Sequence, residues 1–246
     1  MTRVTRTVFT IMLLCFVIPG AVAAPDLLVR TGHADTITDF ARDSEGTLLF
    51  AGGRDGKVTV WDPAHDRLVQ SIHADVLPVK TIVPYNDDPR IAVYATDGRR
   101  HRITVWNYDT GEREFLHSPE DEVLHIDVSS QGSYLVYSVP RLRSIRILDG
   151  GTGRELPFFR ENTGIVTWFV VATSEERLMT YTQASGEIVY RSIVTGREVG
   201  AFDGPRGLES PTLLPTPRFA AAKSADGTLV VVDLLSGDTL ADTPAG

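Results

Sequence analysis

Histidines recur at one position of this chain and are its first candidates for metal chemistry. Six histidines occur in 246 residues, and three of them, His33, His73 and His117, are 40 and 44 residues apart. A metal needs its ligands within roughly 2 Å, and the sequence contains neither His-x-His nor His-Glu-x-x-His spacing. We therefore expect no metal site and predict that these histidines stiffen separate repeats of the fold.

The sequence gives little support to nucleophilic or acid–base catalysis. It lacks Gly-x-Ser-x-Gly, and its single cysteine, Cys15, lies in an N-terminal apolar run. Acidic side chains do cluster at predicted turns, where local hydrogen bonding favours them. They include Asp43, Glu45, Asp87, Asp88, Glu175 and Glu176. We expect no catalytic residues and no cofactor.

Arginines are concentrated at three predicted hairpins. Guanidinium groups bind carboxylates and phosphates through paired hydrogen bonds, which makes such a concentration a candidate docking surface for an acidic protein partner. The proposed docking residues are Arg54, Arg99, Arg100, Arg102, Arg141 and Arg143, with Lys57, Arg146 and Arg90 beside them. The alternative is internal ion pairing with acids of neighbouring loops, which is common on protein surfaces. Those acids are Asp35, Asp75, Glu120, Asp121, Glu122 and Glu161.

A short alternating phrase recurs five times along the chain. The repeat indicates which elements of the fold carry these residues. The five copies are Val58-Thr59-Val60-Trp61-Asp62, Ile103-Thr104-Val105-Trp106-Asn107, Ile145-Arg146-Ile147-Leu148-Asp149, Ile188-Val189-Tyr190-Arg191-Ser192 and Leu229-Val230-Val231-Val232-Asp233. The fourth positions of the copies are 45, 42, 43 and 41 residues apart. This is the period of a propeller blade, so we predict an all-β fold, a β-propeller of about five four-stranded antiparallel blades.

Turn residues divide the first repeat into four predicted strands. These are Thr36 to Ala41, Thr47 to Gly52, Lys57 to Trp61 and Arg67 to Ile72. Asp55-Gly56 is a two-residue hairpin signal, and it returns as Asp97-Gly98, Ser185-Gly186 and Asp226-Gly227. The third repeat loses this signal and has Pro140 to Ser144 instead.

The first repeat resembles the WD40 family in three phrases, Gly32-His33, Gly52-Gly53-Arg54-Asp55 and Val60-Trp61-Asp62. The resemblance implies a buried hydrogen-bonded set of His, Ser or Thr, Asp and Trp in each blade. Matching positions are His33, Ala51, Asp55 and Trp61 in the first repeat, with His73 and Trp106 in the second. Because Ala51 has no hydroxyl, we expect the link between His33 and Trp61 to be missing and the first blade to be less rigid.

The N-terminal segment aligns with a fourth strand, since Leu28 to Ala34 matches Leu68 to Ala74. We expect Asp26 to Arg30 to complete the last blade and close the ring, in preference to the short segment Asp238 to Thr243. The alternative is an open arc completed by another chain or by another copy.

The first residues have the organisation of a secretory signal peptide. Arg3 and Arg6 precede the apolar run Val8 to Ile18, and the small-residue site Ala21-Val22-Ala23 follows Pro19-Gly20. This run is too short for a membrane span, which needs about 20 apolar residues. We predict a signal peptide over residues 1–23 and a WD40-like propeller domain over residues 24–246, in the periplasm or outside the cell.

Charge and repeat architecture together favour one class of function. Without residues 1–23 the chain has 22 Lys and Arg against 32 Asp and Glu, a net charge of −10, which disfavours nucleic acid. We predict a non-catalytic protein-interaction scaffold that presents the loops of one propeller face to a partner. The alternative is a propeller enzyme or small-ligand binder, of the quinone-dehydrogenase or hydrolase type, with a site at the central channel.

Overall fold

The computed structural model describes residues 32–86, 88–129, 131–156, 168–172, 177–213, 219–224, 227–233 and 238–243. Over these residues the chain is all-β, apart from a single 3-10 turn at Pro140–Leu142. Its strands form five antiparallel sheets in chain order, which we call blades 1 to 5. The predicted signal peptide and the segment Asp26 to Arg30 lie outside the described residues.

The strands follow one another in each blade from the inside of the propeller outwards. Blade 1 contains β1 (Ile37–Arg42), β2 (Leu49–Gly53), β3 (Lys57–Asp62) and β4 (Arg67–His73), and blade 2 contains β5 (Val79–Pro84), β6 (Arg90–Thr96), β7 (His101–Asn107) and β8 (Glu112–His117). Blade 3 contains β9 (His125–Val128), β10 (Tyr134–Val139) and β11 (Ser144–Asp149). Blade 4 contains β12 (Trp168–Ala172), β13 (Arg177–Thr182), β14 (Glu187–Ser192) and β15 (Glu198–Asp203), and blade 5 contains β16 (Glu209–Leu213), β17 (Phe219–Lys223), β18 (Leu229–Asp233) and β19 (Thr239–Thr243).

These boundaries confirm the predicted propeller. In blade 1 each strand begins and ends within two residues of its predicted limits. In blade 3 only three strands are described, and Glu155 makes an isolated bridge to Leu148 where a fourth strand would pair.

The recurring phrase marks a repeated irregularity between the third and fourth strands of four blades. The register shifts beside the residue at the Trp-equivalent position, as it does at a β-bulge, and the extra residue lies on the fourth strand. The shifts lie between Val60 and Trp61, Val105 and Trp106, Tyr190 and Arg191, and Val231 and Val232. The sequence period therefore reports a repeated backbone irregularity as well as a repeated side chain.

The core lies between successive blades. Because side chains alternate along a strand, each blade has a leading face, which packs on the following blade, and a trailing face, which packs on the preceding one. Val58 and Val60 lie on the leading face of blade 1 and pack with Ile91 and Val93 of blade 2. The inner strands β1, β5, β9, β12 and β16 contact one another in this same order.

The outer edge of blade 5 corrects the prediction of ring closure. Strand β19 pairs with β18 over Leu229 to Val232, so the C-terminal segment occupies the place expected for Asp26 to Arg30.

Candidate protein-docking face

Hairpins and interblade loops meet at one end of the blades, and we call this end the hairpin face. In blade 1, Gly56 accepts a hydrogen bond from the Asp75 amide at 3.0 Å, and in blade 4 Gly186 accepts one from Gly204 at 2.9 Å. Gly56 has φ +74°, and a Cβ there would collide with the carbonyl oxygen of Asp75. Glycine therefore lets the interblade loop lie directly on the hairpin, which fixes both segments of the face.

His33, Asp55, Thr59 and Trp61 form one hydrogen-bonded chain at the edge of this face. The Nδ1 atom of His33 lies 2.9 Å from Asp55, and its Nε2 atom lies 3.2 Å from the hydroxyl of Thr59. That hydroxyl accepts a hydrogen bond from Nε1 of Trp61 at 3.0 Å. The expectation that the link to Trp61 is missing is therefore wrong, because Thr59 on β3 supplies the hydroxyl.

Ala51 contributes its backbone instead of a side chain. Its carbonyl oxygen lies 2.9 Å from Nε2 of His33, and it pairs across the sheet with Thr59. Burial by itself would raise the pKa of Asp55, but hydrogen bonds from His33 and from the amides of Ala34 and Lys57 hold that pKa below its usual value. The carboxylate is thus fixed in its charged form beneath the loop that precedes β1.

Blade 2 does not assemble the same set. His73 is exposed at the end of β4. Among the described residues no hydrogen-bond partner reaches the buried Thr104 hydroxyl or the Trp106 indole nitrogen. Arg102 instead donates to Asp75 at 3.1 Å, and the Asp75 side chain is only 2% exposed. A salt bridge thus joins β7 to the loop that leads into blade 2.

Blade 3 uses its recurring histidine in another way. Nε2 of His117 lies 2.7 Å from the hydroxyl of Tyr137, and burial lowers the pKa of His117. Arg146 lies behind this pair and donates to Glu155 at 3.0 Å. Of the three recurring histidines, His33 and His117 enter their blades, whereas His73 points to solvent.

Three of the six candidate arginines have ion-pair partners. Arg100 lies 2.8 Å from Asp97, Arg102 lies 3.1 Å from Asp75, and Arg141 lies 3.4 Å from Asp121. Backbone and side-chain hydrogen bonds from Arg100 hold the pKa of Asp97 well below its usual range. The alternative of ion pairing with acids of neighbouring loops is thus confirmed for Arg102 and Arg141, whereas Arg100 pairs with Asp97 of its own hairpin.

Arg54, Arg99 and Arg143 are different. All three side chains are exposed, and no carboxylate in the described part of the chain lies within 4.0 Å of them. Arg143 follows the 3-10 turn in the left-handed conformation, with φ 49°. These arginines belong to three successive hairpins and are available to a partner.

Arg90 does not belong to this group. It begins β6 at the opposite end of blade 2, where its guanidinium lies 4.3 Å from the centre of the Tyr85 ring and donates to Gly150 at 2.9 Å. It therefore ties blade 2 to blade 3 on the far side of the molecule.

Two exposed apolar residues lie in the interblade loops of the same face, between the free arginines in chain order, and no sequence motif marked them. Val76 is 81% exposed in the loop that lies on Gly56 and is fastened by Arg102. Leu124 is 57% exposed, and its amide donates to Ser138 beside the third hairpin. Each lies within two residues of a loop carboxylate, Asp75 or Glu122, and the sequence pattern indicates only the charge at these loops. In chain order the five exposed residues form a row that alternates cationic and apolar side chains over the hairpins and interblade loops of blades 1 to 3.

The described residues contain no group of three His, Cys, Asp or Glu side chains placed to hold a metal ion. No helix among them is both long and apolar enough to cross a membrane.

Comparisons with known proteins agree with this architecture. A family model described as an N-terminal beta-propeller domain matches residues 28–246. An uncharacterized protein of Treponema pallidum (strain Nichols) is 29% identical over 80% of this chain, and a Retinoblastoma-binding protein 5 homolog of Drosophila melanogaster is 27% identical over 71% of it. Those matches span only 32% and 35% of the two relatives, so this chain corresponds to about a third of their length.

A solved structure shares the fold at low sequence identity. A chain from the crystal structure of a mitotic checkpoint complex superposes with a TM-score of 0.70 and 15% identity, over 88% of this chain and 67% of that one. At this level of identity the likeness concerns the fold alone. It supports a WD40-like propeller.

Proposed function

The chain belongs to this family of N-terminal β-propeller domains, and on that premise we propose that it is a non-catalytic scaffold that docks an acidic protein partner on its hairpin face. The WD40-like fold suits such a role, because it presents many loops from a rigid scaffold of packed sheets. The Drosophila relative carries the name of a binding protein.

The row of exposed residues from Arg54 through Val76, Arg99 and Leu124 to Arg143 carries this proposal. The free guanidinium groups can bind carboxylates of a partner. The two apolar side chains supply apolar surface, and its burial against the partner is favourable. A partner that fits the row has Asp or Glu residues separated by apolar ones. The paired arginines have a different role, because they hold the loops of the face in place.

The compartment we propose is the cell envelope or the extracellular space. It rests on the order of charged, apolar and small residues in the first 23 positions. Sequencing the N-terminus of the exported protein tests this: we expect a chain that begins at Ala24, and an uncleaved chain retained in the cytoplasm would contradict it.

Selection from a displayed peptide library tests the docking proposal. We expect the immobilised protein to enrich peptides that combine acidic and apolar residues, and the triple variant Arg54→Glu, Arg99→Glu, Arg143→Glu to lose that enrichment. Arg197→Glu is the matched control, because Arg197 is exposed on the turn between β14 and β15, away from the hairpin face. Equal enrichment by the triple variant and the wild type would reject this face as the docking site.

A further inference from the structure

The loop between β15 and β16 is built like the loops that carry the apolar residues of the row. Val76 and Leu124 are each exposed next to a buried apolar residue of their interblade loop. In the loop between β15 and β16, Arg206 is exposed two residues before such a buried residue. The buried residues of the three loops are Leu77 (1% exposed), Val123 (5%) and Leu208 (6%).

Backbone contacts hold this loop on the hairpin of blade 4. The amide of Gly204 donates to the carbonyl oxygen of Gly186 at 2.9 Å, and the amide of Gly207 donates to that of Gln183 at 3.0 Å. A Cβ on Gly186 would collide with the carbonyl oxygen of Gly204. The loop therefore lies directly on the hairpin between β13 and β14, in the manner of the loop on the first hairpin.

The buried side chain of Tyr181 fastens the same loop from inside the blade. Its hydroxyl donates to the carbonyl oxygen of Pro205 at 2.8 Å and accepts a hydrogen bond from the Leu208 amide at 3.0 Å. These two bonds flank Arg206 in the sequence and hold its backbone in place. A residue that is already ordered loses less conformational entropy when it binds a partner.

The guanidinium group of Arg206 is oriented but has no carboxylate partner. Its Nε atom donates to the carbonyl oxygen of Ser185 at 3.1 Å. In the part of the chain that the structure describes, no carboxylate lies within 4.0 Å of this group, and no acceptor bonds to Nη1 or Nη2. These two nitrogens are therefore available to bind a partner carboxylate through paired hydrogen bonds.

Two acids mark the outer limit of this cationic site. Glu187 on β14 and Asp203 on β15 pair across the sheet at the hairpin end of blade 4, and both are exposed. Their like charges repel an acidic segment. Such a segment is therefore expected to reach Arg206 over the hairpin, and not along the outer edge of the blade.

We propose that Arg206 is a further docking residue, and that an acidic polypeptide bound to the row extends across the hairpin face onto blade 4. This inference rests on the function proposed above and adds the extent of the partner. One segment of the partner places carboxylates on Arg206 as well as on the free arginines of blades 1 to 3. Binding at the row raises the local concentration of the same segment at Arg206, so the contacts reinforce one another.

Binding of a random copolymer of glutamate and tyrosine tests this extension. A copolymer of about 30 residues combines acidic and apolar surface and can extend to roughly 100 Å. By fluorescence anisotropy at low salt, we expect Arg206→Glu to weaken binding about fivefold or more, and Arg206→Gln by a smaller factor. Tyr181→Phe keeps the charge but removes both hydroxyl contacts of the loop, and we expect it to weaken binding as well.

Arg197→Glu is the matched control, because it makes the same change of charge at the other end of blade 4. We expect it to bind as the wild type does, and circular dichroism to show native sheet content for every variant. Equal weakening by Arg206→Glu and Arg197→Glu would overturn the assignment of Arg206.

The triple variant of the row separates this inference from the proposed function. If that variant loses binding while Arg206→Glu binds as the wild type does, the extension onto blade 4 is wrong and docking on blades 1 to 3 stands. A wild type that does not bind the copolymer would contradict both.

Discussion

The hydroxyl of Thr59 lies 3.2 Å from Nε2 of His33, although 26 residues separate the two positions. The contact joins the loop that precedes the first strand of blade 1 to the third strand of the same blade, and Trp61 extends it by donating to the same hydroxyl. It places a threonine from the recurring phrase in the position where the WD40 resemblance implied a hydroxyl on the second strand.

Replacing Thr59 with valine keeps the shape of the side chain and removes the hydroxyl. We expect the free energy of unfolding to fall by about 1 to 3 kcal/mol, because Trp61 then has a buried donor without its partner. Urea unfolding followed by tryptophan fluorescence measures the change.

Thr104→Val is the control for Thr59→Val. The Thr104 hydroxyl is buried and has no hydrogen-bond partner among the described residues, so its loss is expected to be neutral or slightly stabilising. Equal destabilisation by the two substitutions would contradict the assigned link.

Arg102 and Arg99 lie in the same hairpin region but should respond differently to truncation. Arg102→Ala leaves the nearly buried carboxylate of Asp75 without its cation, and we expect a loss of about 1 to 2 kcal/mol, reduced from the value for a fully buried pair because Arg102 is partly exposed. Arg99→Ala is expected to leave stability unchanged. Thermal unfolding distinguishes them, and a larger loss for Arg99→Ala would show that the pairing is assigned to the wrong arginine.

Asp127 makes stability depend on pH. Burial raises its pKa to about 6, although the amides of Val128 and Val171 donate to the carboxylate. A raised carboxyl pKa stabilises the fold while the group is protonated, and this contribution is lost as pH rises from about 4 through 6. We expect Asp127→Asn to be more stable than the wild type at pH 8, by about 2 to 3 kcal/mol, and the difference to vanish below about pH 4.

Asp149 is the control for this titration, because its pKa is shifted in the opposite direction. Hydrogen bonds from the side chain and amide of Thr152 hold the pKa of Asp149 below its usual value. Its contribution is therefore present above about pH 4 and lost at lower pH, so Asp149→Asn is expected to lower stability at neutral pH. Urea unfolding of both variants at several pH values measures the two slopes. Parallel pH profiles for Asp127→Asn and the wild type would refute the role of Asp127.

Binding at the hairpin face should depend on salt. With a peptide recovered by selection as the probe, we expect affinity to fall as ionic strength rises, since exposed charges are screened over about 8 Å at physiological salt. Reversal of charge at Arg54, Arg99 and Arg143 together should reduce both the affinity and its salt dependence, whereas Arg197→Glu should change neither. Fluorescence anisotropy at increasing sodium chloride measures both. Salt-independent binding would leave the apolar residues Val76 and Leu124 as the main determinants.

Local features of the sequence predicted the fold. The spacing of the recurring phrase, the Asp55-Gly56 hairpin and the alternation of apolar residues determine strands and turns over fewer than about ten residues each, and they depend little on the rest of the chain. For this reason the strands of blade 1 lie within two residues of their predicted limits. The edge of blade 5 did not follow, because the sequence pattern offers two segments for one place, Asp26 to Arg30 and Asp238 to Thr243, and local pattern does not decide between them.

The sequence by itself determined the repeat, the turns, the three histidines at one recurring position and the concentration of six arginines at three hairpins. The tertiary structure decided what each of them does, since that depends on which partners the fold brings within reach. His33 lies beside Asp55 and Thr59, and His117 lies 2.7 Å from the hydroxyl of Tyr137, whereas His73 is exposed at the end of β4. Arg99 and Arg102 belong to the same hairpin region, but only Arg102, on β7, lies within reach of Asp75. The role of a side chain depends on its distances to partners across the sheet and in neighbouring blades. The tertiary structure determines these distances, and local sequence pattern does not.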